Sequence, residues 1–230
     1  VAKPDSTVYE EDLADAFLFA WKGGADVINC SWSWLYSPST LIDEYIDSTV
    51  TYGRNGLGCP VIFSAGNENY FNRGFIQWPN SKENVMAVGA IDTTDYRFDY
   101  SCRGPEMDLV APSGVKFHDS PSHPYSGGGV WTVDRMADMG YNPNQWDGCE
   151  PQNDQDYSCS FWGTSASAAL TSGTAALILS LRPDLTADEV YTILKESAVR
   201  DLDWGTLESV PHERYGYGRV NAYRALLSLK

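Results

Sequence analysis

The chain is poor in basic residues. Its 230 residues include 16 lysines and arginines against 31 aspartates and glutamates, a formal net charge of −15 with histidine neutral. Such a surface repels phosphate backbones and anionic lipid headgroups, so we expect neither nucleic acid nor a membrane as a partner. The charge favours neutral or basic peptides, although an acidic surface that serves only solubility explains it equally well.

Long apolar runs and targeting signals are also lacking. No apolar run approaches the roughly 18 residues of a membrane span. The chain starts at Val1, and its first residues show no basic start, apolar core and cleavage site of a signal peptide. With 43% hydrophobic and 20% charged residues, the composition fits one globular domain or most of one.

Cysteine is scarce, and its spacing argues against zinc. The five cysteines form no C-x-x-C pair, the spacing common in structural zinc sites. Cys30 and Cys59 lie in or beside apolar, strand-like runs, so we expect buried thiols. Cys149 and Cys159 flank a polar loop and could close a small disulfide in a secreted protein. The odd count leaves at least one cysteine free.

The same polar loop holds the candidate metal ligands. Glu150, Asp154 and Asp156 carry oxygen ligands of the kind that Ca²⁺ prefers. A structural calcium site is therefore a candidate, an acidic loop without an ion is the alternative, and no cofactor is required.

Motifs of other enzyme classes are missing. The α/β-hydrolase motif G-x-S-x-G fails because Ser167 stands two residues after Ser165. Neither a Walker A loop nor G-x-G-x-x-G is present. Tyr191 and Lys195 have the spacing of a dehydrogenase pair, but no dinucleotide loop accompanies them and such pairs are common on helix surfaces.

What is present is an alternation of helical and strand patterns. Helices are predicted from a capping box at Thr7 and Glu10 to Gly23, and at about 40–52, 164–181, 187–197 and near the carboxyl terminus; strands are predicted at 27–31, 61–64, 85–91 and 107–111. The alternation implies parallel strands joined by crossover helices. We therefore expect an α/β fold, a three-layer sandwich around a mostly parallel sheet.

One serine stands where a nucleophile is favoured. Ser165 follows Gly163 and Thr164 at the start of the run predicted as a buried helix. In the first turn it would lie beside unpaired N–H groups and the positive end of the helix dipole, which favour a developing oxyanion. Taken alone, Gly-Thr-Ser is more commonly just a helix cap.

A second segment, PVIFSAGN at 60–67, reads as a buried strand that opens into a loop at its carboxyl end. Open α/β sheets place their sites at such ends. Asn67 could offer an amide donor there, whereas Gly66-Asn67 alone is an ordinary turn dipeptide.

Four segments in order resemble the subtilisin-like serine proteases. They are DVINCSWSW at 26–34, PVIFSAGN at 60–67, SCRGPEMDLVAP at 101–112 and GTSASAALTSG at 163–173. The resemblance runs from about Asp26 to Asn221, and its strongest element is the last, against G-T-S-x-[SA]-x-P-x-x-x-G. It implies a subtilisin-like fold and a secreted serine endopeptidase.

The resemblance also implies roles for individual residues. Ser165 is the acylating nucleophile, and Asn67 is the side-chain donor of the oxyanion hole. The positions that line the substrate cleft are Ser31, Trp32, Ser33, Ala65 and Gly66. Two residues depart from the family pattern: Ser33 replaces Gly and could narrow the approach of substrate, while Ala169 replaces Pro, a milder change because Ala favours helix.

The family's Asp and His-Gly-Thr segments are not found in these residues. The mechanism needs a histidine that takes the serine proton and a carboxylate that orients it. His118, His123 and His212 are not followed by Gly-Thr and stand among Pro, Asp, Ser or Glu, as exposed loop histidines do. We expect none of them to be the base, and expect the Asp and His to lie upstream of Val1.

Residues 1–230 are thus expected to form most of a subtilisin-like peptidase domain, with a long insertion at about 113–160. The implied function is hydrolysis of peptide or protein substrates through an acyl-enzyme on Ser165, with a propeptide as a further candidate partner. The alternative is a catalytically inactive subtilase-like domain that binds peptides or a partner. We expect Trp131, Trp146 and Trp162 to order the insertion by packing.

We predict a disulfide between Cys149 and Cys159. Closing a loop of about ten residues should stabilise the insertion by roughly 2 to 3 kcal/mol if the geometry is unstrained. Non-reducing peptide mapping of protein from its native compartment should recover the two cysteines in one linked peptide. Two free thiols would exclude the crosslink and weaken the case for secretion.

Overall fold

The computed structural model describes residues 8–33, 36–68, 74–114, 129–136 and 156–230. At its centre lies a parallel sheet of four strands in the order β1, β2, β3, β4. Their bounds are Ile28–Cys30, Val61–Ser64, Met86–Ile91 and Met107–Pro112. All four predicted strands are confirmed, with ends within two residues of expectation.

Five helices flank this sheet within the described residues. They are α1 (Glu10–Lys22), α2 (Thr40–Gly56), α3 (Thr164–Leu181), α4 (Ala187–Glu196) and α5 (Ala222–Leu227). Residues 53–55 leave helical geometry, so the regular part of α2 ends where the sequence predicts. The expected cap of α1 is corrected: Tyr9 is the N-cap, and its N–H donates to the Asp12 carboxylate (3.0 Å). Thr7 lies outside the described residues.

The two faces of the sheet are covered by different helices. Successive strand residues point to opposite faces, so Phe63 of β2 packs with Phe17 and Ile42 of α1 and α2. Its neighbour Ile62 packs with Ile178 of α3 on the other face. Each such buried side chain contributes about 1.5 to 3 kcal/mol. The expected three-layer α/β sandwich is confirmed.

Helix α3 is the central helix of the layer that covers the Ile62 face of the sheet. Its 18 residues have a mean hydropathy of 1.3, so by length and composition it could span a membrane, and 56% of it is buried inside the fold. The expectation that no apolar run approaches that length was therefore wrong for this segment. Burial against the sheet explains its composition, because its small residues pack closely on all four strands.

The described part of the predicted insertion forms an antiparallel hairpin of β5 (Val130–Val133) and β6 (Tyr157–Phe161). Trp162 packs edge-on against Tyr100, with ring centroids 5.3 Å apart, as expected. Trp131 does not pack as expected: it is 53% exposed, because the hairpin turns that face outwards. Trp146 lies outside the described residues.

A short hairpin of β7 (Asp201–Leu202) and β8 (Gly205–Thr206) follows α4.

The described cysteines differ in redox state. Cys159 is disulfide-bonded, while Cys149 lies outside the described residues, so their pairing stays a prediction. Cys30, Cys59 and Cys102 are buried free thiols, which confirms the expectation for the first two. Burial raises the pKa of each thiol, to about 12 for Cys59 and about 11 for Cys102, so all three stay protonated at neutral pH.

Candidate active site

The residues singled out in the sequence meet at one edge of the sheet. Residues 31–33 follow β1, residues 65–67 follow β2, and Ser165 lies in the first turn of α3. The carboxyl ends of parallel strands share an edge, and the amino end of α3 approaches that edge. Every predicted site residue is thus in this region.

Ser165 is half-buried and contacts the end of β1. Its Oγ lies 3.4 Å from the carbonyl oxygen of Ser31, a long and weak hydrogen bond. The Ser31 hydroxyl in turn donates to the carbonyl oxygen of Ser165 (3.0 Å). Ser31 therefore fixes the backbone of Ser165, while it binds the Ser165 hydroxyl only weakly.

Asn67 is oriented by Thr164, the residue before the nucleophile. Its Oδ1 accepts hydrogen bonds from both the backbone N–H and the hydroxyl of Thr164, each at 2.9 Å. Because an N–H can only donate, the amide oxygen must face Thr164, and the amide –NH₂ of Asn67 must face away. The Thr164 hydroxyl also accepts from the N–H of Gly66 (3.2 Å), which ties the whole loop to the helix.

Gly163 makes room for this arrangement. Its φ is +86°, a conformation that favours glycine, and a Cβ there would lie 3.0 Å from Nδ2 of Asn67. Its carbonyl oxygen accepts from the hydroxyl of Ser113 (2.7 Å) and from the N–H of Ala166 (3.0 Å). A side chain at this position would therefore displace the amide of Asn67.

A chain of hydrogen bonds joins β1 to α3. The Ser172 hydroxyl donates to Oδ1 of Asn29 (3.1 Å), and Nδ2 of Asn29 donates to the Ser31 hydroxyl (2.9 Å). The Ser31 hydroxyl then donates a hydrogen bond to the backbone carbonyl oxygen of Ser165. The spacing between the end of β1 and the start of α3 is fixed in this way.

The buried side chain of Asn80 joins the two loops of the cleft. Its Nδ2 lies 2.6 Å from the carbonyl oxygen of Ser64 and 3.2 Å from that of Trp32. The Ser33 hydroxyl, which stands where the family has glycine, lies 3.4 Å from the same nitrogen. The Trp32 ring packs edge-on against Phe63 at 5.1 Å.

Glu68 follows Asn67 directly in the chain. The buried thiol of Cys102 donates to Oε2 of Glu68 (3.6 Å), beneath the loop that carries Asn67.

Among the described residues no histidine contacts Ser165. His212 lies in a turn after α4, where its Nδ1 accepts from the N–H of Arg214 (3.2 Å) and its ring packs on Tyr215. His118 and His123 lie outside the described residues. His212 therefore contacts other residues, and the expectation that the general base lies upstream of Val1 stays a prediction.

Sequence reasoning missed the residues that position the site. Thr164 stands in Gly-Thr-Ser, a segment that taken alone indicates a helix cap. Asn80 stands in a predicted loop and carried no further signal. Asn29 and Ser113 carried no signal of their own. Each acts across a large sequence separation, and only the folded chain brings its partners together.

Comparison with known proteins identifies the family of the chain. A family model described as the subtilase family matches residues 1–218. The chain is 36% identical over 242 residues to a calcium-dependent protease of Nostoc sp., covering 96% of this chain and 34% of that protein. It is 29% identical over 215 residues to the halolysin-like extracellular serine protease Nep of Natrialba magadii, covering 94% and 31%.

The fold is shared with solved structures. A lanthipeptide protease aligns with a TM-score of 0.71 at 24% identity, over 95% of this chain and 67% of that one. The present chain spans about a third of the length of the two curated relatives.

We predict that Asn80→Ala destabilises the protein. The substitution removes the donor from the buried carbonyl oxygen of Ser64, and an unsatisfied buried acceptor costs about 1 to 3 kcal/mol. Denaturant unfolding of the complete protein should show this loss. Asn84→Ala is the matched control, since its side chain makes one exposed hydrogen bond to Asp47. Equal stability of the two variants would refute the role given to Asn80.

Proposed function

Because the chain belongs to the subtilase family, we propose that it is the nucleophile-bearing part of a serine endopeptidase that hydrolyses peptide bonds through an acyl-enzyme on Ser165. The observation that supports this most directly is the pairing of Asn67 with Thr164. It leaves an amide –NH₂ available as a donor beside the nucleophile. An amide in that place stabilises negative charge on a carbonyl oxygen.

The proposed reaction has two steps. A histidine upstream of Val1, oriented by an upstream aspartate, takes the proton of Ser165 Oγ as that oxygen attacks the scissile carbonyl carbon. The amide of Asn67 and the backbone N–H of Ser165 donate to the oxyanion. The C–N bond breaks, the histidine gives its proton to the leaving amine, and water then hydrolyses the ester.

Two surfaces of the described residues are uncovered. No described strand pairs with the outer edge of β1, and α3 exposes one stripe of leucines, Leu170, Leu177 and Leu181. Their spacing of seven and four residues places them on one helix face. We propose that the segment carrying the Asp and His covers this edge and this stripe.

We propose peptides or proteins as substrates and an extracellular location. The negative charge of the chain favours neutral or basic substrates. A disulfide-bonded Cys159 and the relative whose name describes it as extracellular support secretion. A propeptide partner stays a prediction.

A structural calcium ion also stays a prediction. One relative is named a calcium-dependent protease. Within the described ranges no group of three or more His, Cys, Asp or Glu side chains could hold a metal. Of the candidate ligands only Asp156 is described, while Glu150 and Asp154 fall in the gap before it. The proposed reaction uses no metal.

We predict that the isolated 230-residue chain does not react with a fluorophosphonate at Ser165, since a serine hydroxyl without a base is a poor nucleophile. The complete protein should label at Ser165, and its variant with the upstream histidine changed to alanine should not. Labelling of the isolated chain would mean that His118, His123 or His212 is the base. An unreactive complete protein would favour the inactive, peptide-binding alternative.

We predict that Asn67→Ala in the complete enzyme lowers kcat by about 10² to 10³, with little change in KM. The reason is that the amide interacts with charge that develops only in the transition state. Steady-state kinetics on a peptide substrate should show this, with Asn84→Ala as the control. A loss mainly in KM would assign Asn67 to substrate binding instead.

A further inference from the structure

Asn29 of β1 lies on the sheet face that α3 covers. In the register of β1 with β2 it pairs with Ile62, whose side chain packs against α3. Paired residues on neighbouring strands point to the same face. The Asn29 amide contacts two serines at once, Ser172 through Oδ1 (3.1 Å) and Ser31 through Nδ2 (2.9 Å). Asn29 therefore connects the middle of α3 to the residue that contacts Ser165.

Helix α3 is attached to β1 at two levels. Ser165 and Ser172 are seven residues apart on α3, close to two helical turns, so they share one helix face. The Ser31 hydroxyl binds the backbone carbonyl oxygen of Ser165 (3.0 Å), and Asn29 binds the side chain of Ser172. Two attachments on one face resist rotation of the helix about its axis, and they thereby hold the direction of the Ser165 backbone.

The direction of these hydrogen bonds depends on how the Asn29 amide is turned. With Oδ1 towards Ser172, Nδ2 donates to the Ser31 oxygen, and the Ser31 hydroxyl keeps its single proton for the carbonyl oxygen of Ser165. With the amide reversed, Oδ1 would accept the Ser31 proton instead. Ser172 has one proton for two acceptors, since the carbonyl oxygen of Ala168 also lies 2.9 Å from its Oγ. Donation to Asn29 selects the first orientation.

We infer that Asn29 is a positioning residue for the attack by Ser165 and that it acts through Ser31. This inference rests on the proposed function, because it concerns the acylation step. The carbonyl that Ser31 holds belongs to the same residue as the attacking Oγ and the N–H that donates to the oxyanion. A displacement of that residue misplaces both groups, and a misplacement of about 1 Å can cost about 10²-fold in rate.

The variant Asn29→Asp in the complete enzyme tests the inference. An ionised carboxylate only accepts hydrogen bonds, so it takes the Ser31 proton and leaves the carbonyl oxygen of Ser165 without that donor. We expect kcat for a peptide substrate to fall about tenfold with KM little changed, because the change acts on the position of the reacting groups. A loss mainly in KM would assign Asn29 to substrate binding and overturn the inference.

The added charge is controlled in two ways. A carboxylate raises the pKa of a nearby histidine, which moves the acid limb of the pH profile to higher pH. We therefore compare kcat on the plateau above that limb, where the base is neutral in both proteins. Asn55→Asp adds the same charge at an exposed residue that precedes β2, at the opposite end of this strand from Asn67, and should leave kcat unchanged.

A double-mutant cycle separates an effect through Ser31 from a direct one. In a protein that already carries Ser31→Ala, Asn29→Asp should cost nothing further in kcat, whereas independent sites would give additive losses. Ser172→Ala removes the donor that orients the amide and should lower kcat to a smaller extent. Ser180→Ala is its matched control on α3, since the Ser180 hydroxyl is exposed and bonds only to the carbonyl oxygen of Leu177 (2.7 Å). Additive losses would overturn the inference.

The carbonyl resonance of Ser165 gives a readout that needs no activity. The complete protein is labelled with carbonyl-13C serine and 15N alanine, and the signal of the Ser165–Ala166 peptide is followed by NMR. A hydrogen bond to a carbonyl oxygen deshields its carbon, so this signal should move upfield in the Asn29→Asp protein. The signal of the Ser197–Ala198 peptide, at the end of α4, should stay in place.

Failure of the inference and failure of the proposed function look different. If the unmodified protein cleaves no peptide but the Ser165 signal moves as expected, the peptidase proposal fails and the hold of Asn29 on Ser165 stands. If the unmodified protein cleaves the peptide and Asn29→Asp changes neither kcat nor the signal, the peptidase proposal stands and the inference fails. A lower kcat with an unmoved signal also overturns it, because the effect would then bypass Ser31.

Discussion

Two hydrogen bonds from Thr164 to one amide oxygen hold the candidate site together. They fix Asn67 at the end of β2 against the first turn of α3, and so fix an amide donor relative to Ser165. A flipped amide would place Nδ2 in the position of this oxygen, and Nδ2 cannot accept a hydrogen bond. The glycine at 163, with positive φ and no side chain, keeps that space open. The sheet, the helix and the loop after β2 are thus held in one fixed arrangement around Ser165.

Much of the fold could be predicted because it depends on local patterns. The bounds of α3 follow from an uninterrupted run of small and apolar residues, and Thr186 with Glu189 forms the expected capping box, with bonds of 2.7 Å and 3.2 Å. The strand positions follow from short apolar runs that alternate between the two core layers. The cap of α1 was misplaced because Tyr9, which is not a favoured cap residue, ends up beside Asp12.

The site could be predicted only in part. Ser165 and Asn67 carry motif signals, but the residues that position them act through space. Asn80 stands 16 residues from Ser64 and 48 from Trp32, and no local pattern announces that its amide joins both. Trp131 was expected to pack because most of its segment shows no helical or strand period that could order it otherwise, whereas the hairpin register turns it to solvent. Propensity gives no information about which face of a short hairpin meets the core.

The described residues leave two surfaces uncovered beside α3. No described strand pairs with the outer edge of β1, and α3 exposes the stripe of Leu170, Leu177 and Leu181. These are the surfaces that we propose for a base-bearing segment, since no described histidine contacts Ser165.

A crystal structure of the complete protein inactivated with a peptidyl phosphonate tests the central claim most directly. The account predicts a covalent bond from phosphorus to Ser165 Oγ, with one phosphonyl oxygen about 3 Å from both Nδ2 of Asn67 and the backbone N–H of Ser165. A phosphonyl oxygen directed away from Asn67, or an adduct on any other residue, would contradict it.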